Sequence, residues 1–189
     1  MKTITYVTSN NGKFLEVQQY LKKLAPEIKL VQEAVEIEEI QSMDLHVVAT
    51  DKAKKAWQML KAPLLIDDAG IFFNRWNQFP GVLTKFVCQG LGMEGIRRLI
   101  EPGDTGYFKL FLIYADEQGG LHAFEGRCDG QLTPDYQGTS HVDLPFDVCF
   151  KPEGLALTYA EIKQDKAHED YFYRLRAVKS FLAWYRLQS

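Results

Sequence analysis

The sequence predicts an elongated α/β protein with two lobes, and three observations support this fold class. Stretches that alternate apolar and polar residues, as strands do, are interspersed with stretches that repeat apolar residues at helical spacing. A hairpin is inserted in this pattern, and no internal repeat, low-complexity tract or flexible linker interrupts it. A chain of 189 residues, 46% of them hydrophobic, can bury one core or two tightly joined lobes. We therefore expect residues 1–189 to form a single domain with two lobes and a central cleft that binds the ligand.

The predicted elements follow one another closely along the chain. Range 3–8 alternates β-branched and aromatic residues, which indicates a strand, and the polar turn 9–12 then leads into a helix that ends at Pro26. The elements after it are, in order, a strand at 28–32, a helix over 45–60, a strand at 64–66, a helix over 82–100, strands at 107–115 and 121–128, and a C-terminal helix over 171–185. The acidic range 36–40 lacks the length of a regular element.

Two of these helices have a clear apolar face. In the helix over 45–60 the face consists of Leu45, Ala49, Ala53, Ala56 and Leu60. In the C-terminal helix it consists of Tyr171, Leu175, Val178, Leu182 and Tyr185. Both helices are therefore expected to pack one face against a core.

Composition excludes several classes of function. A net charge of −3 and a pI of about 5.8 provide no basic surface for duplex nucleic acid. The N-terminus has no signal-peptide core and no apolar run long enough to cross a bilayer, so we expect no membrane partner and a cytoplasmic protein. The three cysteines and four histidines lack the spacing of a zinc site, which leaves oxygen ligands as the candidates for binding a metal.

Two acids directly after a predicted strand form the most informative junction. Adjacent side chains on a strand point to opposite faces, so only one of Asp67 and Asp68 can face a given cleft. A divalent cation would neutralise such acids, and a carboxylate from the range 36–40 could complete the site. Capping of a turn explains Asp67 and Asp68 equally well, and a solvated loop is the default interpretation of the acidic range.

A second candidate is the turn from Thr8 to Lys13. Its small polar residues leave backbone N–H groups exposed at a helix start, where the helix dipole favours anions, and Lys13 adds a positive charge. This pattern suits phosphate, although many strand-to-helix turns look the same and bind nothing.

The C-terminal part contributes an acid among apolar residues. Asp147 lies between Phe146 and Val148, and such a carboxylate either finds a buried donor or faces a ligand such as a purine edge beside a stacking ring. Lys166, Arg174 and Arg176 could reach phosphate or a base, although charges on an amphipathic helix are usually solvated.

Taken in order, these features resemble one family, the inosine and xanthosine triphosphate pyrophosphatases, also called Ham1-like proteins. The resemblance covers nearly the whole chain and rests on five segments: Thr8-Ser9-Asn10-Asn11-Gly12-Lys13 resembles T-G-N-x-x-K, Asp67-Asp68-Ala69-Gly70 resembles D-D-[ST]-G, Phe79-Pro80-Gly81 resembles the P-G turn, 144–150 resembles F-G-[YW]-D-P-x-F, and Ala160-Glu161-Ile162 resembles A-E-[ML]. It implies the mixed-sheet, two-lobed Maf/Ham1-like fold of inosine triphosphatase and a homodimer.

The resemblance also implies roles for individual residues. It implies that Glu39 and Asp68 bind Mg²⁺, and that Asp68 and Lys13 are catalytic, with Asp68 accepting a proton or orienting water. The residues implied to contact a purine nucleotide are Thr8, Ser9, Asn10 and Lys13 at the triphosphate, Ala69, Phe146, Asp147 and Tyr173 at the base, and Lys52, Lys166 and Arg174, which would help with phosphate and base. Phe146 would stack on the purine and Asp147 would contact its edge. The implied reaction is hydrolysis of non-standard purine triphosphates, such as ITP, dITP and XTP, to the monophosphate and pyrophosphate. This reaction removes the non-standard nucleotides from the nucleotide pool.

The chain departs from the family pattern mostly in its base-reading half. The family's S-H-R signature appears as Phe172-Tyr173-Arg174, and the Glu of its E-N-A motif is Val47. Because a tyrosine pairs with different purine atoms than a histidine does, a pyrophosphatase with altered nucleotide specificity is an alternative. A catalytically inactive nucleotide-binding protein is another, although a pure binder need not keep Lys13, Glu39 and Asp68.

Overall fold

The computed structural model describes residues 2–139, 141–163 and 166–188 and has an α/β architecture. Its six strands are β1 (Lys2–Val7), β2 (Ile28–Glu33), β3 (Leu64–Phe73), β4 (Thr105–Ala115), β5 (Leu121–Leu132) and β6 (Phe150–Pro152). Its α-helices in the described ranges are α1 (Asn11–Leu24), α2 (Leu45–Leu60), α3 (Thr84–Arg97), α4 (Tyr159–Ile162) and α5 (Tyr173–Leu187). Short 3-10 helices occupy Asn74–Trp76, Gly81–Leu83, Pro145–Cys149 and Lys166–Tyr171.

The strands form one mixed sheet in the order β2-β1-β3-β4-β5-β6. β1 is parallel to both β2 and β3, whereas β5 and β6 are antiparallel. The mixed sheet and the α/β class confirm the predicted fold class. None of the helices in the described ranges combines the length and apolarity needed to cross a membrane.

The chain divides into two compact units, and β3, β4 and β5 each contribute to both. The first unit contains Met1–Asp68, Leu110–Gly126 and Arg174–Ser189. The second contains Ala69–Lys109 and Arg127–Tyr173. Each unit has its own buried residues.

In the first unit, α2 packs on the sheet through small residues. Ala49, Ala53 and Ala56 are fully buried in a cluster that also contains residues of three strands: Val7, Leu64, Ile66, Ile113 and Ala115. The predicted apolar face of α2 is thus confirmed. The helix begins after Asp44, whose carboxylate accepts hydrogen bonds from the backbone N–H groups of His46 and Val47, as an N-cap residue does.

In the second unit, aromatic rings form the core. The ring of Phe108 stacks on that of Tyr173 with centroids 4.8 Å apart and planes 5° from parallel. Phe150 and Tyr159 pack against the same Phe108 ring, with centroids 4.9 Å and 5.5 Å from it. Burial of such large rings contributes strongly to the stability of a small unit.

Two glycines of the family-like motifs are explained by one close approach in the second unit. A Cβ atom added to Gly70 would lie 2.3 Å from the carbonyl oxygen of Gly81, so a side chain at Gly70 cannot fit. Gly81 itself has a φ of +56°, a backbone conformation that favours glycine. Phe72 also forms a β-bridge with Pro80, which brings the turn against β3.

Several predicted boundaries were wrong. The strand predicted at 64–66 runs on to Phe73, so Asp67 and Asp68 lie within β3 and not after its end. The helix predicted over 82–100 begins as a 3-10 turn and becomes α3 only at Thr84, and Gly92, with a φ of +63°, interrupts its regular geometry. The C-terminal helix begins at Tyr173, which leaves Tyr171 in the preceding 3-10 helix.

Candidate functional site

The predicted phosphate turn lies between β1 and α1 in the first unit and is held in place by hydrogen bonds. The Asn10 side chain caps α1 by accepting a hydrogen bond from the Lys13 backbone N–H at 2.8 Å. The Asn10 N–H donates to the Thr8 hydroxyl oxygen at 3.1 Å. From β2, the Gln32 amide donates to the Thr8 carbonyl oxygen at 3.1 Å, and the Thr8 N–H donates to the Glu33 carbonyl oxygen at 2.9 Å. The start of α1 is therefore fixed, which suits the binding of an anion at its N-terminus.

Asp67 is buried and ion-paired on two sides. The Lys13 ammonium lies 2.9 Å from one carboxylate oxygen, and the Arg174 Nε donates to the other at 3.2 Å. Burial by itself would raise the pKa of Asp67, but the positive charges of Lys13 and Arg174 and the hydrogen bond from Lys13 outweigh it and hold the pKa well below its ordinary value. Asp67 is therefore a fixed anion that positions Lys13.

Arg174 is the largest fully buried side chain of this group. It is 1% exposed, and its guanidinium donates to Glu16 of α1 as well as to Asp67. Burial and the neighbouring Asp67 carboxylate raise the pKa of Tyr6 in β1 well above its ordinary value, so Tyr6 stays a neutral phenol. In this arrangement Arg174 acts within the protein as a positioning residue, and its predicted contact with substrate stays a prediction.

Asp68 has a different environment, in which one lysine joins two carboxylates. The Lys52 ammonium of α2 lies 2.9 Å from Glu39 and 3.8 Å from Asp68. Burial raises the pKa of Asp68, Lys52 and Lys13 lower it, and the negative charges of Asp67 and Glu39 raise it again, so the net shift is upward. Asp67 and Asp68 are thus adjacent carboxylates whose pKa values are moved in opposite directions.

The predicted metal ligands fit a hard divalent cation. The carboxylates of Glu39 and Asp68 share one ammonium, and burial is the main cause of the upward pKa shift of Asp68, so a bound cation would stabilise its charged form. Within residues 2–139, 141–163 and 166–188, no group of three or more His, Cys, Asp or Glu side chains is arranged to hold a metal. Mg²⁺ is compatible with two carboxylates because it usually takes its other ligands from water and substrate phosphates.

The predicted base-side residues of the second unit are mostly buried. Asp147 is 3% exposed, and its carboxylate accepts a hydrogen bond from the ammonium of Lys163. Phe146 is 4% exposed, so stacking on a purine would require its ring to become more exposed. Tyr173 is 6% exposed and stacked on Phe108.

Ala69 and Lys166, two further predicted residues, can be placed only in their strand or helix. Ala69 continues β3 directly after the two acids. Lys166 begins the last 3-10 helix, but its side chain lies outside the part of the chain that the structure describes.

Within the first unit, the structure therefore places Thr8, Ser9, Asn10 and Lys13 together at the turn that begins α1. It also places the carboxylates of Glu39 and Asp68 around the ammonium of Lys52. Sequence reasoning missed Gln32 and Lys163. Gln32 lies on β2, where the alternation of apolar and polar residues predicts only which face of the sheet a side chain lies on. Lys163 follows the family-like Ala160-Glu161-Ile162 segment and matches no motif position.

Comparison with known proteins assigns the chain to a family. The model of the Ham1 family matches residues 4–184. A relative from Thermococcus kodakarensis, described as a dITP/XTP pyrophosphatase, is 34% identical over 96% of each chain. An inosine triphosphate pyrophosphatase from Candida glabrata is 33% identical over 86% of each chain. The solved structure of a HAM1 protein from Coxiella burnetii, 21% identical, matches the fold over the full length of both chains with a TM-score of 0.77. The chain described here belongs to the Ham1 family.

Proposed function

We propose that this protein hydrolyses non-standard purine nucleoside triphosphates, such as ITP, dITP and XTP, to the monophosphate and pyrophosphate. One observation of the structure carries the proposal. Adjacent carboxylates on one strand have opposite environments, since Asp67 is locked between two cations while Asp68 has a raised pKa beside Lys52 and Glu39. The relatives support the substrate class, because one is a dITP/XTP pyrophosphatase and the other an inosine triphosphate pyrophosphatase.

Asp68 would orient the attacking water and accept its proton. In the metal-free protein, burial raises the pKa of Asp68, which makes its carboxylate a better proton acceptor near neutral pH than an ordinary aspartate. The water that Asp68 orients would attack the α-phosphorus, and the bond between the α- and β-phosphates would break to release pyrophosphate. Asp67 cannot replace Asp68 in this role because its depressed pKa makes it a very weak base.

The cations of the site would bind the triphosphate. Phosphoryl transfer depends mainly on positioning and on neutralisation of phosphate charge. The ammonium of Lys13 is paired with Asp67 and that of Lys52 with Asp68, and the fixed start of α1 adds backbone N–H groups. A divalent cation, which we propose is Mg²⁺ held by Glu39 and Asp68, would neutralise charge on the phosphates when bound.

In the second unit, Asp147 and Lys163 would contact the edge of the base. Together they offer an acceptor and a donor, which suits a purine with adjacent N–H and C=O groups. The altered nucleotide specificity that the sequence suggested remains the second candidate, because Tyr173 packs into the core on Phe108. We further propose that residues 1–189 act as one domain, that the protein is a homodimer, and that it acts in the cytoplasm, where the nucleotide pool lies.

A substrate panel tests the proposal. The purified protein is incubated with Mg²⁺ and with ITP, dITP, XTP, GTP, ATP or CTP, and pyrophosphate and monophosphate are measured separately. We expect equimolar pyrophosphate and monophosphate, with the highest kcat/KM for ITP, dITP or XTP. If no triphosphate yields pyrophosphate, the proposal fails. A preference for ITP or XTP over GTP of less than about tenfold, roughly 1.4 kcal/mol, would favour altered specificity.

A further inference from the structure

Lys52 has an unusual position for a phosphate-binding residue, because its ammonium already has two anionic partners. Its side chain is 15% exposed, and its Nζ lies 2.9 Å from Glu39 and 3.8 Å from Asp68. These carboxylates come from the range 34–43, which has no regular structure, and from β3, so the lysine of α2 joins two separate parts of the first unit. They are the same two carboxylates that would hold the divalent cation of the proposed function.

A second lysine of α2 holds the acidic segment without using the carboxylates. The Lys55 ammonium donates to the backbone carbonyl of Glu38 at 2.7 Å and pairs with Asp51 at 2.8 Å. Because this contact is with the backbone next to Glu39, the segment stays attached to α2 if Lys52 moves. The Glu39 side chain is 40% exposed and can adjust at little cost.

The charges of this group explain why a lysine is needed there. Glu39 and Asp68 carry two negative charges against the single positive charge of Lys52, while Asp67 has its own partners in Lys13 and Arg174. Without either Lys52 or a metal, two carboxylates would face each other with no cation between them, an arrangement that like-charge repulsion destabilises.

We propose that Lys52 is an internal counter-ion that exchanges with the divalent cation. In the metal-free protein its ammonium neutralises Glu39 and Asp68. When a divalent cation binds these carboxylates, Lys52 leaves them and its ammonium becomes available to the phosphates of the substrate. The inference rests on the metal site of the proposed function, and it assigns to Lys52 two successive partners.

The test measures Mg²⁺ binding to the nucleotide-free protein by titration calorimetry, and thermal unfolding in EDTA by circular dichroism. The variants are Lys52→Met, Lys52→Arg and, as a matched control on an exposed position of the same helix, Lys54→Met. Lys52→Met removes the competing ammonium, so we expect Mg²⁺ to bind about three- to tenfold more tightly than in the wild type. In EDTA the same variant should unfold at a lower temperature, whereas Lys54→Met and Lys52→Arg should resemble the wild type in both measurements.

Mg²⁺ affinity that is unchanged or weaker in Lys52→Met overturns the inference, whatever its melting temperature. If that variant cannot be purified without metal, Lys52→Gln carries the same expectation. The outcomes also separate the inference from the proposed function. A wild type that releases pyrophosphate and binds Mg²⁺, while Lys52→Met binds it no better, refutes the exchange alone. A wild type that neither binds Mg²⁺ nor releases pyrophosphate refutes the proposed function as well.

Discussion

Replacement of Asp67 by asparagine isolates the buried ion group that positions Lys13. In the wild type, Asp67 and Glu16 provide two negative charges, and Lys13 and Arg174 provide two positive charges, so the group is neutral. Asp67→Asn keeps the size and one acceptor oxygen but removes a charge. The group then has a net charge of +1 around a guanidinium that is 1% exposed.

The magnitude follows from this burial. Removing one partner of a buried ion pair destabilises a protein by about 3–5 kcal/mol. The Lys13 side chain is 18% exposed and can turn towards solvent, and the asparagine oxygen can still accept a hydrogen bond. We therefore expect the free energy of unfolding at pH 7 to fall by about 2–4 kcal/mol. Asp51→Asn is the matched control, because Asp51 lies in a half-buried helical pair with Lys55 and should cost about 0.3–0.5 kcal/mol.

Urea unfolding monitored by circular dichroism, repeated from pH 7 to pH 3, provides the assay. The folded pKa of Asp67 lies below its unfolded value of about 3.9, so its contribution is complete above that pH and is lost as the pH falls further. The difference between wild type and Asp67→Asn should therefore be constant from pH 7 to about pH 5 and shrink only in more acidic solution. An Asp67→Asn variant as stable at pH 7 as the Asp51→Asn control would show that Asp67 does not stabilise this buried ion group.

Three further predictions concern binding and catalysis. Gln32→Leu removes the amide that holds the Thr8 carbonyl, so KM for the triphosphate should rise about three- to tenfold in steady-state assays, and an unchanged KM would contradict this role. Lys163→Met leaves the buried Asp147 carboxylate without the Lys163 ammonium, so the ratio of kcat/KM for ITP to that for ATP should change by about tenfold, and an identical ratio would count against base contact. Chelation of divalent metal by EDTA should abolish pyrophosphate release reversibly, and activity that persists in EDTA would show that the reaction needs no divalent metal.

Much of the fold was predictable because periodicity reports burial directly. The alanines of α2 repeat at helical spacing, and the same residues are fully buried on the sheet. The length of β3 was not predictable in this way. Two charged residues and a glycine normally end a strand, but here ion pairs neutralise Asp67, and Gly70 is needed where the Gly81 carbonyl comes close. Tertiary contacts outweighed local propensity.

Motifs predict which residues form the candidate site, but they do not predict how those residues pair with one another. Adjacency on a strand predicts that only one of Asp67 and Asp68 faces a ligand, and in the structure the two carboxylates have separate lysine partners. That Arg174 pairs with Asp67 depends on a contact across 107 residues, which no local pattern contains. Lys163 shows the same limit, since a lysine after a short helix looks like any solvated charge until its neighbour Asp147 is known.

The Asp68→Asn variant tests whether this carboxylate activates the attacking water. Burial already disfavours the charged form of Asp68, so a neutral asparagine should leave the stability unchanged or slightly higher. Pyrophosphate release from ITP or XTP with Mg²⁺ should fall by about 10²- to 10⁴-fold in kcat. A folded Asp68→Asn variant with a kcat within about tenfold of the wild-type value would show that Asp68 does not activate the water.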